Sequence, residues 1–178
     1  MPYITTAELA ERPGAREIAQ QASLPHQMVR DDALMDATLR GTDRSAWTPE
    51  QLAAADAALA RVQDAVAEAG ALIDGHLVQR GYTLPMALPP GSTGRSMVTV
   101  WARSITRYLL NKDRMTDESK DPVARDYRDA LKLLGLLAAG KFSLGADDPA
   151  APAATGSTDV RFDSAPTVFN RTQLRAFR

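Results

Sequence analysis

The sequence contains no cysteine and only two histidines, His26 and His76, which lie far apart in the chain. The absence of cysteine excludes disulfide frameworks, thiolate zinc sites and thiol nucleophiles. Two separated histidines are too few for a histidine-rich metal centre, although carboxylate sites remain possible in principle. We therefore expect no metal and no other cofactor.

The sequence also lacks an excess of charge of either sign and any long apolar run. Lysine and arginine total 21 against 22 for aspartate and glutamate, so the net charge is -1. A general binder of nucleic acid or of membrane surfaces would carry a strong basic excess. No segment has the length and apolar character of a signal peptide or a membrane span. We expect a soluble protein made in the cytoplasm, with one domain and a tail in its 178 residues.

The spacing of apolar residues predicts four or five helices and little sheet. Thr48 is placed as an N-cap, Pro49 follows at the first helical position, and Gln51 occupies the capping-box position. An apolar stripe then predicts a helix of about 30 residues that ends at Gly81. Its many alanines allow close packing, either within the domain or against another subunit. We expect an all-α fold, a helical bundle with one long central helix and an extended C-terminal tail.

Shorter helices are predicted on both sides of the long one. Thr5 and Glu8 have capping-box spacing at the start of the first helix, which Pro13 and Gly14 are expected to break. Residues 24–48 have mixed apolar spacing and are interpreted as a possible insertion. The other predicted helices run from about Val29 to Arg40, from about Thr93 to Lys112, and from Pro122 to Gly140.

The predicted helix after Thr93 combines an apolar face with a basic one. At 100° per residue, Trp101, Ile105 and Tyr108 fall in one arc, which we expect to face the core. The arginines fall in another arc and are either a solvated face or a surface that contacts DNA or an acidic partner. Their replacement by alanine is expected to leave folding intact. The candidates for a channel or subunit interface are Arg95, Arg103 and Arg107.

Two other polar patterns indicate structural roles and not catalytic or ligand-binding ones. Residues 91–96 precede a helix as anion-binding turns do, but no strand precedes them and the lysine of a phosphate loop is missing. We interpret them as a helix cap. His76 follows Asp74 by two residues on the long helix, so the two side chains point to different faces. We expect no catalytic residues and no enzyme activity.

The composition changes at Gly145, where small residues replace the helical pattern. We expect residues 1–144 to form the helical domain and residues 145–178 to form a flexible linker and a partner-binding tail. The apolar residues near the end are too few to build their own core and need a partner surface. The candidate anchors are Val168, Phe169, Arg171, Leu174, Arg175 and Phe177.

A series of short motifs follows a specific order along the chain. The motifs are Met1 to Leu9, Ala71 to Leu77 with Arg80 and Tyr82 to Pro85, Pro89-Pro90, Arg107 to Leu110, Tyr127 with Ala130 and Leu131, Leu137 to Gly140, and Val168 to Arg171 with Leu174 and Phe177. Together they resemble the Mu-like phage head-tail connector family over most of residues 1–23 and 62–178. Gly81, between Arg80 and Tyr82, and His76, where an aromatic residue is usual, depart from the family pattern.

The resemblance implies a helical adaptor that forms a ring of twelve copies under the portal protein of a tailed-phage capsid. The ring joins the portal to the stopper and tail and surrounds the DNA channel, where it can contact packaged DNA non-specifically. The protein would be synthesised in the host cytoplasm and located in the virion at the head-tail interface, with its C-terminal anchors on the portal. The resemblance implies no catalysis and no membrane contact. Two alternatives stay open: a bacterial helical interaction module unrelated to virions, and an enzyme of unseen mechanism.

Overall fold

The computed structural model describes residues 2–86 and 88–145, and in these ranges the chain is helical and contains no β-strand. This confirms the predicted all-α class. The helices are α1 Thr6–Leu9, α2 Ala15–Ala22, α3 Asp32–Arg40, α4 Pro49–Arg80, α5 Thr93–Asn111 and α6 Pro122–Ala138. Short helical segments, Ala10–Gly14 and Lys112–Arg114, follow α1 and α5. None of the described helices is long and apolar enough to cross a membrane.

The long central helix is α4, which begins and ends where the sequence predicts. The N–H of Thr48 donates to the side chain of Gln51 at 2.9 Å, and the N–H of Gln51 donates back to the Thr48 hydroxyl at 3.4 Å. Gly81 ends the helix with a φ of 98°, in the left-handed region that favours glycine. The 32 residues of α4 give it a length of about 48 Å. Its buried residues confirm the core stripe and are Ala55, Ala58, Val62, Ala65, Ala69, Ile73 and Leu77.

One hydrophobic core joins all six helices. Helices α4, α5 and α6 pack against one another, and α2 and α3 pack against α4. The largest fully buried side chains are Ile4, Leu9, Ile18, Leu34, Met35, Val62, Ile73, Leu77, Val98, Ile105, Leu134 and Leu137. Burial of this apolar surface is what holds the short helices α1 to α3 in place, because helices of this length are unstable alone.

The predicted break after α1 is present. Thr5 and Glu8 form the predicted capping box, in which the N–H of Thr5 donates to the Glu8 carboxylate at 2.7 Å. Arg12 then leaves the helical conformation, with φ -150° and ψ 118°, and Gly14 has a φ of 117°. The break lets α1 and α2 take different directions over the core.

Residues 24–48, the possible insertion, contribute a helix to the core. The N-cap of α3 is Asp31, which accepts from the N–H of Ala33 at 2.9 Å and from the indole N–H of Trp47 at 2.6 Å. The helix therefore begins three residues later than the predicted start at Val29. Its Leu34, Met35 and Leu39 are buried.

The N-terminal segment is tied to the two longest helices. Tyr3 is buried, and its hydroxyl donates to the carboxylate of Asp74 on α4. Burial, together with the Asp74 carboxylate, raises the pKa of Tyr3. From α5, the Thr99 hydroxyl donates to the backbone carbonyl of Tyr3 at 3.0 Å. Both partners of Tyr3 are distant in sequence.

The segment after α6 returns to α5. Phe142 packs edge-on against Trp101, with ring centroids 6.1 Å apart, and the N–H of the buried Leu144 donates to the Tyr82 hydroxyl at 3.4 Å. The carbonyl oxygen of Leu144 lies so close to Gly94 that a Cβ atom there would approach it to 2.5 Å. Only glycine allows this contact.

Candidate functional site

The structure places Arg107 inside an ion-pair network. Its Nε donates to Glu17 on α2 at 2.7 Å, and its guanidinium lies 3.8 Å from Asp126 on α6. The side chain is 23% exposed. Arg107 is thus partly buried, and two carboxylates that are distant in sequence neutralise it within the fold. Its position at a channel or subunit interface stays a prediction.

Arg95 and Arg103 differ from Arg107, since neither side chain makes a hydrogen bond or ion pair within the described residues. The Nε atom of Arg103 is buried and has no partner. Burial lowers the pKa of Arg103 and the charge of Arg12 lowers it further, whereas Glu8 acts in the opposite direction. A partly buried cation without a counter-ion costs free energy. Arg103 in this position therefore does not stabilise the isolated chain.

Arg95 and Arg103 line an open groove between α1, α5 and the loop that precedes α5. Its volume of about 630 Å³ is enough for several side chains of a partner. Val100, which is 50% exposed, adds an apolar surface to the same groove. The other lining residues are Glu8, Leu88, Pro90, Gly91, Ser96 and Thr99. We call this surface the arginine groove.

Helix α5, which forms one wall of the groove, is buried over a wider arc than predicted. Trp101 and Ile105 face the core as expected, whereas Tyr108 is only partly buried and stacks on Tyr127 of α6, with ring centroids 3.9 Å apart. The N-terminal segment and α2 pack against the other flank of α5. They bury Thr99, Thr106 and Leu110 beside the arginines. Arg103 thus lies at the edge of the covered part of α5 and is partly exposed in the groove, and its place at a channel or subunit interface stays a prediction.

The other polar patterns have structural roles. The hydroxyl of Ser92 accepts from the N–H of Arg95 at 3.2 Å, which confirms that the turn before α5 is a helix cap. Asp74 is bound by Tyr3, and no interaction joins it to His76. In residues 2–86 and 88–145, no cluster of three carboxylate or imidazole side chains is placed to hold a metal ion.

A second surface of interest runs along α4 on the side away from the core. Its residues share one side of the helix and are exposed, and most of them are small. Its two acids, Asp64 and Glu68, form no ion pair with any residue that the structure describes. The members are Ala53, Ala60, Asp64, Ala67, Glu68, Ala71 and Gly75. We call this surface the α4 outer face; none of its residues lines the arginine groove.

The model of the family described as Bacteriophage Mu, Gp36 matches residues 3–162, which is most of the chain. The chain belongs to the phage Mu Gp36 family. It is similar to the Mu-like prophage FluMu protein gp36 of Haemophilus influenzae, with 31% identity over 150 residues that cover 83% of this chain and 95% of the relative. It is also similar to Gene product J of Escherichia phage Mu, with 30% identity over 112 residues that cover 62% and 72% of the two chains. The predicted relation to Mu-like phages is confirmed.

The predicted linker and tail of this Gp36 family member, from residue 146 onward, lie outside the described residues. This applies to all of the candidate anchors, which are Val168, Phe169, Arg171, Leu174, Arg175 and Phe177. Their role stays a prediction.

Sequence reasoning missed Glu8, which lines the groove of this Gp36 chain, and Arg12, whose charge acts on Arg103. Both belong to the segment around α1, and only the tertiary fold brings them to Arg103. The sequence pattern marks Glu8 as a member of the capping box with Thr5, and not as a neighbour of Arg103. No local pattern marks Arg12 as a neighbour of α5.

Arg103 and Arg107 on α5 of this Gp36 chain should respond differently to substitution. Arg107→Met should lower the free energy of unfolding by about 1.5–3 kcal/mol, because it leaves Glu17 without its charged partner. Arg103→Met keeps the apolar stem and removes an unpaired charge, so it should be neutral or stabilising. Urea denaturation of both variants measures the difference, and equal losses would contradict the contacts described. The ion pairs of Arg107 replace the earlier expectation for that position alone, and Arg103 is still expected to tolerate substitution.

Proposed function

We propose that this protein is a structural component of the virion, a head-tail connector. Twelve copies form a ring that binds the portal protein of the capsid and joins it to the stopper or tail-side connector. The ring is part of the DNA channel, and its contact with packaged DNA is non-specific. The chain is made in the host cytoplasm and located at the head-tail interface. It acts by binding and uses no catalysis and no cofactor.

The observation that supports this proposal is the ordered series of connector-like motifs along the chain. The Gp36 family match covers residues 3–162, and so includes the motifs at the N-terminus and on α4, α5 and α6. The curated relatives carry the names of a phage protein and a prophage protein. This favours a phage role over a bacterial module unrelated to virions.

The architecture suits a ring subunit. A ring of identical copies needs two different surfaces on each copy, one for each neighbour. The described residues offer two separate surfaces, the arginine groove and the α4 outer face, which share no residue. The α4 helix, about 48 Å long, supplies one of them over most of its length.

Removal of the chain from a phage should separate heads from tails. A phage with an amber codon in the gene is expected to produce DNA-packaged or leaking heads and free tails, with loss of nearly all infectious particles. Electron microscopy of lysates and plaque counts give the readout, and the chain supplied from a plasmid is the control that restores the virions. Quantitative mass spectrometry of wild-type virions should find equal copy numbers of this chain and the portal protein.

Two results would contradict the proposal. Complete virions without the chain would remove any essential connector role. Separate heads and tails in the mutant, together with absence of the chain from wild-type virions, would instead assign it to assembly and exclude a place in the finished particle.

A further inference from the structure

We infer that the arginine groove of one copy binds the α4 outer face of the next copy. In this contact, Arg95 and Arg103 pair with Asp64 and Glu68 of the neighbour. The inference rests on the proposed ring and adds the surfaces through which its subunits meet. It follows from two surfaces of complementary charge, a groove and a helix face of small side chains.

The groove needs an anionic partner. Arg103 has a buried Nε atom without a hydrogen-bond acceptor, and Arg12 adds positive charge beside it. Arg95 has no partner among the described residues. The single lining acid, Glu8, already accepts hydrogen bonds from the backbone and hydroxyl of Thr5. A carboxylate from outside would satisfy the guanidinium groups, which bind carboxylates through paired N–H donors.

The α4 outer face supplies such carboxylates on a surface that can approach closely. Asp64 and Glu68 are four residues apart and therefore lie on the same side of the helix. Around them, Ala60, Ala67 and Ala71 are exposed and have short side chains. Small residues let a helix approach a partner closely, as ridges pack into grooves. Exposed methyl groups here match the apolar side of the groove.

The groove fits a protein surface better than a DNA backbone. Leu88, Pro90 and Val100 present apolar atoms that a phosphate chain does not use.

The contact joins different surfaces, so it is heterologous. A heterologous contact repeats from copy to copy and closes into a ring when the rotation between neighbours allows it. Each copy then uses its groove toward one neighbour and its α4 outer face toward the other.

Cross-linking tests the contact directly, because the natural chain has no cysteine. A variant with Val100→Cys in the groove and Ala67→Cys on the α4 outer face carries only these two thiols. Treated with a short bismaleimide, in virions and as the concentrated purified chain, it should give a ladder of covalent multimers. Each single-cysteine variant should stay monomeric on a denaturing gel. A dimer from either single variant, or no ladder from the double variant, would overturn the inference.

Charge reversal in the double-cysteine chain provides a second test. Arg95→Glu with Arg103→Glu should reduce the ladder at least tenfold, and so should Asp64→Arg with Glu68→Arg. The chain with all four changes should regain it, because the charges are complementary again. Asp129→Lys, at an exposed acid of α6, is the matched control and should leave the ladder unchanged. If the chain with Arg103→Glu does not fold, Arg95→Glu alone should still reduce the ladder severalfold.

The outcomes separate this inference from the proposed connector role. A chain that enters virions at portal stoichiometry but gives no ladder would refute this contact and leave the connector role intact. An unchanged ladder together with loss of packaged DNA from the arginine variants would assign the groove to DNA instead. Absence of the chain from virions would refute the connector role, whereas a ladder from the purified chain would still support the contact.

Discussion

A chain truncated after Gly156 should fold like the full-length protein and fail to join portal-containing heads. The described helices end before the truncation point, and none of their core residues lies beyond Leu144. The helical circular-dichroism signal per folded residue should therefore change little. The proposed portal anchor, residues 164–178, is removed completely.

The size of the expected effect follows from the apolar anchors. Burial of Phe169, Leu174 and Phe177 on a partner would contribute roughly 1.5–3 kcal/mol for each side chain. Ordering of the segment would cost about 2–5 kcal/mol. The burial free energy that is left after this ordering cost corresponds to a factor on the order of 10² to 10³ in portal affinity, which each truncated copy would lose. Because the copies of a ring act together, the loss for the whole ring is far larger.

The full-length chain with all three anchors changed to alanine should reproduce the truncation. The matched control changes Thr172 and Gln173 to alanine, which alters the same segment at polar positions and should leave incorporation unchanged. Sedimentation of heads with tagged chain measures both. Normal incorporation of the truncated chain into infectious virions would reject the anchor.

Gly94→Val should lower the free energy of unfolding by about 3–5 kcal/mol. A Cβ atom at this position would lie 2.5 Å from the carbonyl oxygen of Leu144 and 3.2 Å from its Cβ. The backbone of the segment after α6 must then move away from α5, and the burial of Leu144 and Phe142 is lost with it. Each large apolar side chain contributes about 1.5–3 kcal/mol when buried, and Phe142 is only partly buried.

The matched control for Gly94→Val is Gly70→Ala, within α4. Nothing lies within 4 Å of a Cβ atom there, so alanine should stabilise the helix by about 0.5–1 kcal/mol. Thermal unfolding followed by circular dichroism compares the two variants. Equal stability of Gly94→Val and the natural chain would show that the segment after α6 does not dock as described.

Local signals allowed prediction of the helices, because caps and apolar periodicity act within a few residues. Thr48 and Gly81 bound α4 as predicted, and the break at Pro13 is present. The same reasoning did not reveal the ion pairs of Arg107, since its partners Glu17 and Asp126 come from other helices. Helical periodicity gives the positions of the charges on one helix, but not the positions of charges on other helices that pack against it.

The candidate site was predictable only in part for the same reason. The sequence predicts that Arg95 and Arg103 share a side of α5 with other arginines. It does not reveal which arginine is neutralised and which is left without a partner. That difference depends on the packing of α1 and α2 against α5, which no pattern within α5 encodes.

A ribosome makes Tyr3 well before it makes the residues that Tyr3 binds. Asp74 follows it by 71 positions and Thr99 by 96. At about 5–20 residues per second, Thr99 is added roughly 5 to 20 seconds later. During this interval Tyr3 and Ile4 lack their final packing surface, which α4 and α5 complete. The N-terminal segment must therefore be among the last parts of the nascent chain to dock, and a chaperone that binds apolar segments would meet it before the fold can cover it.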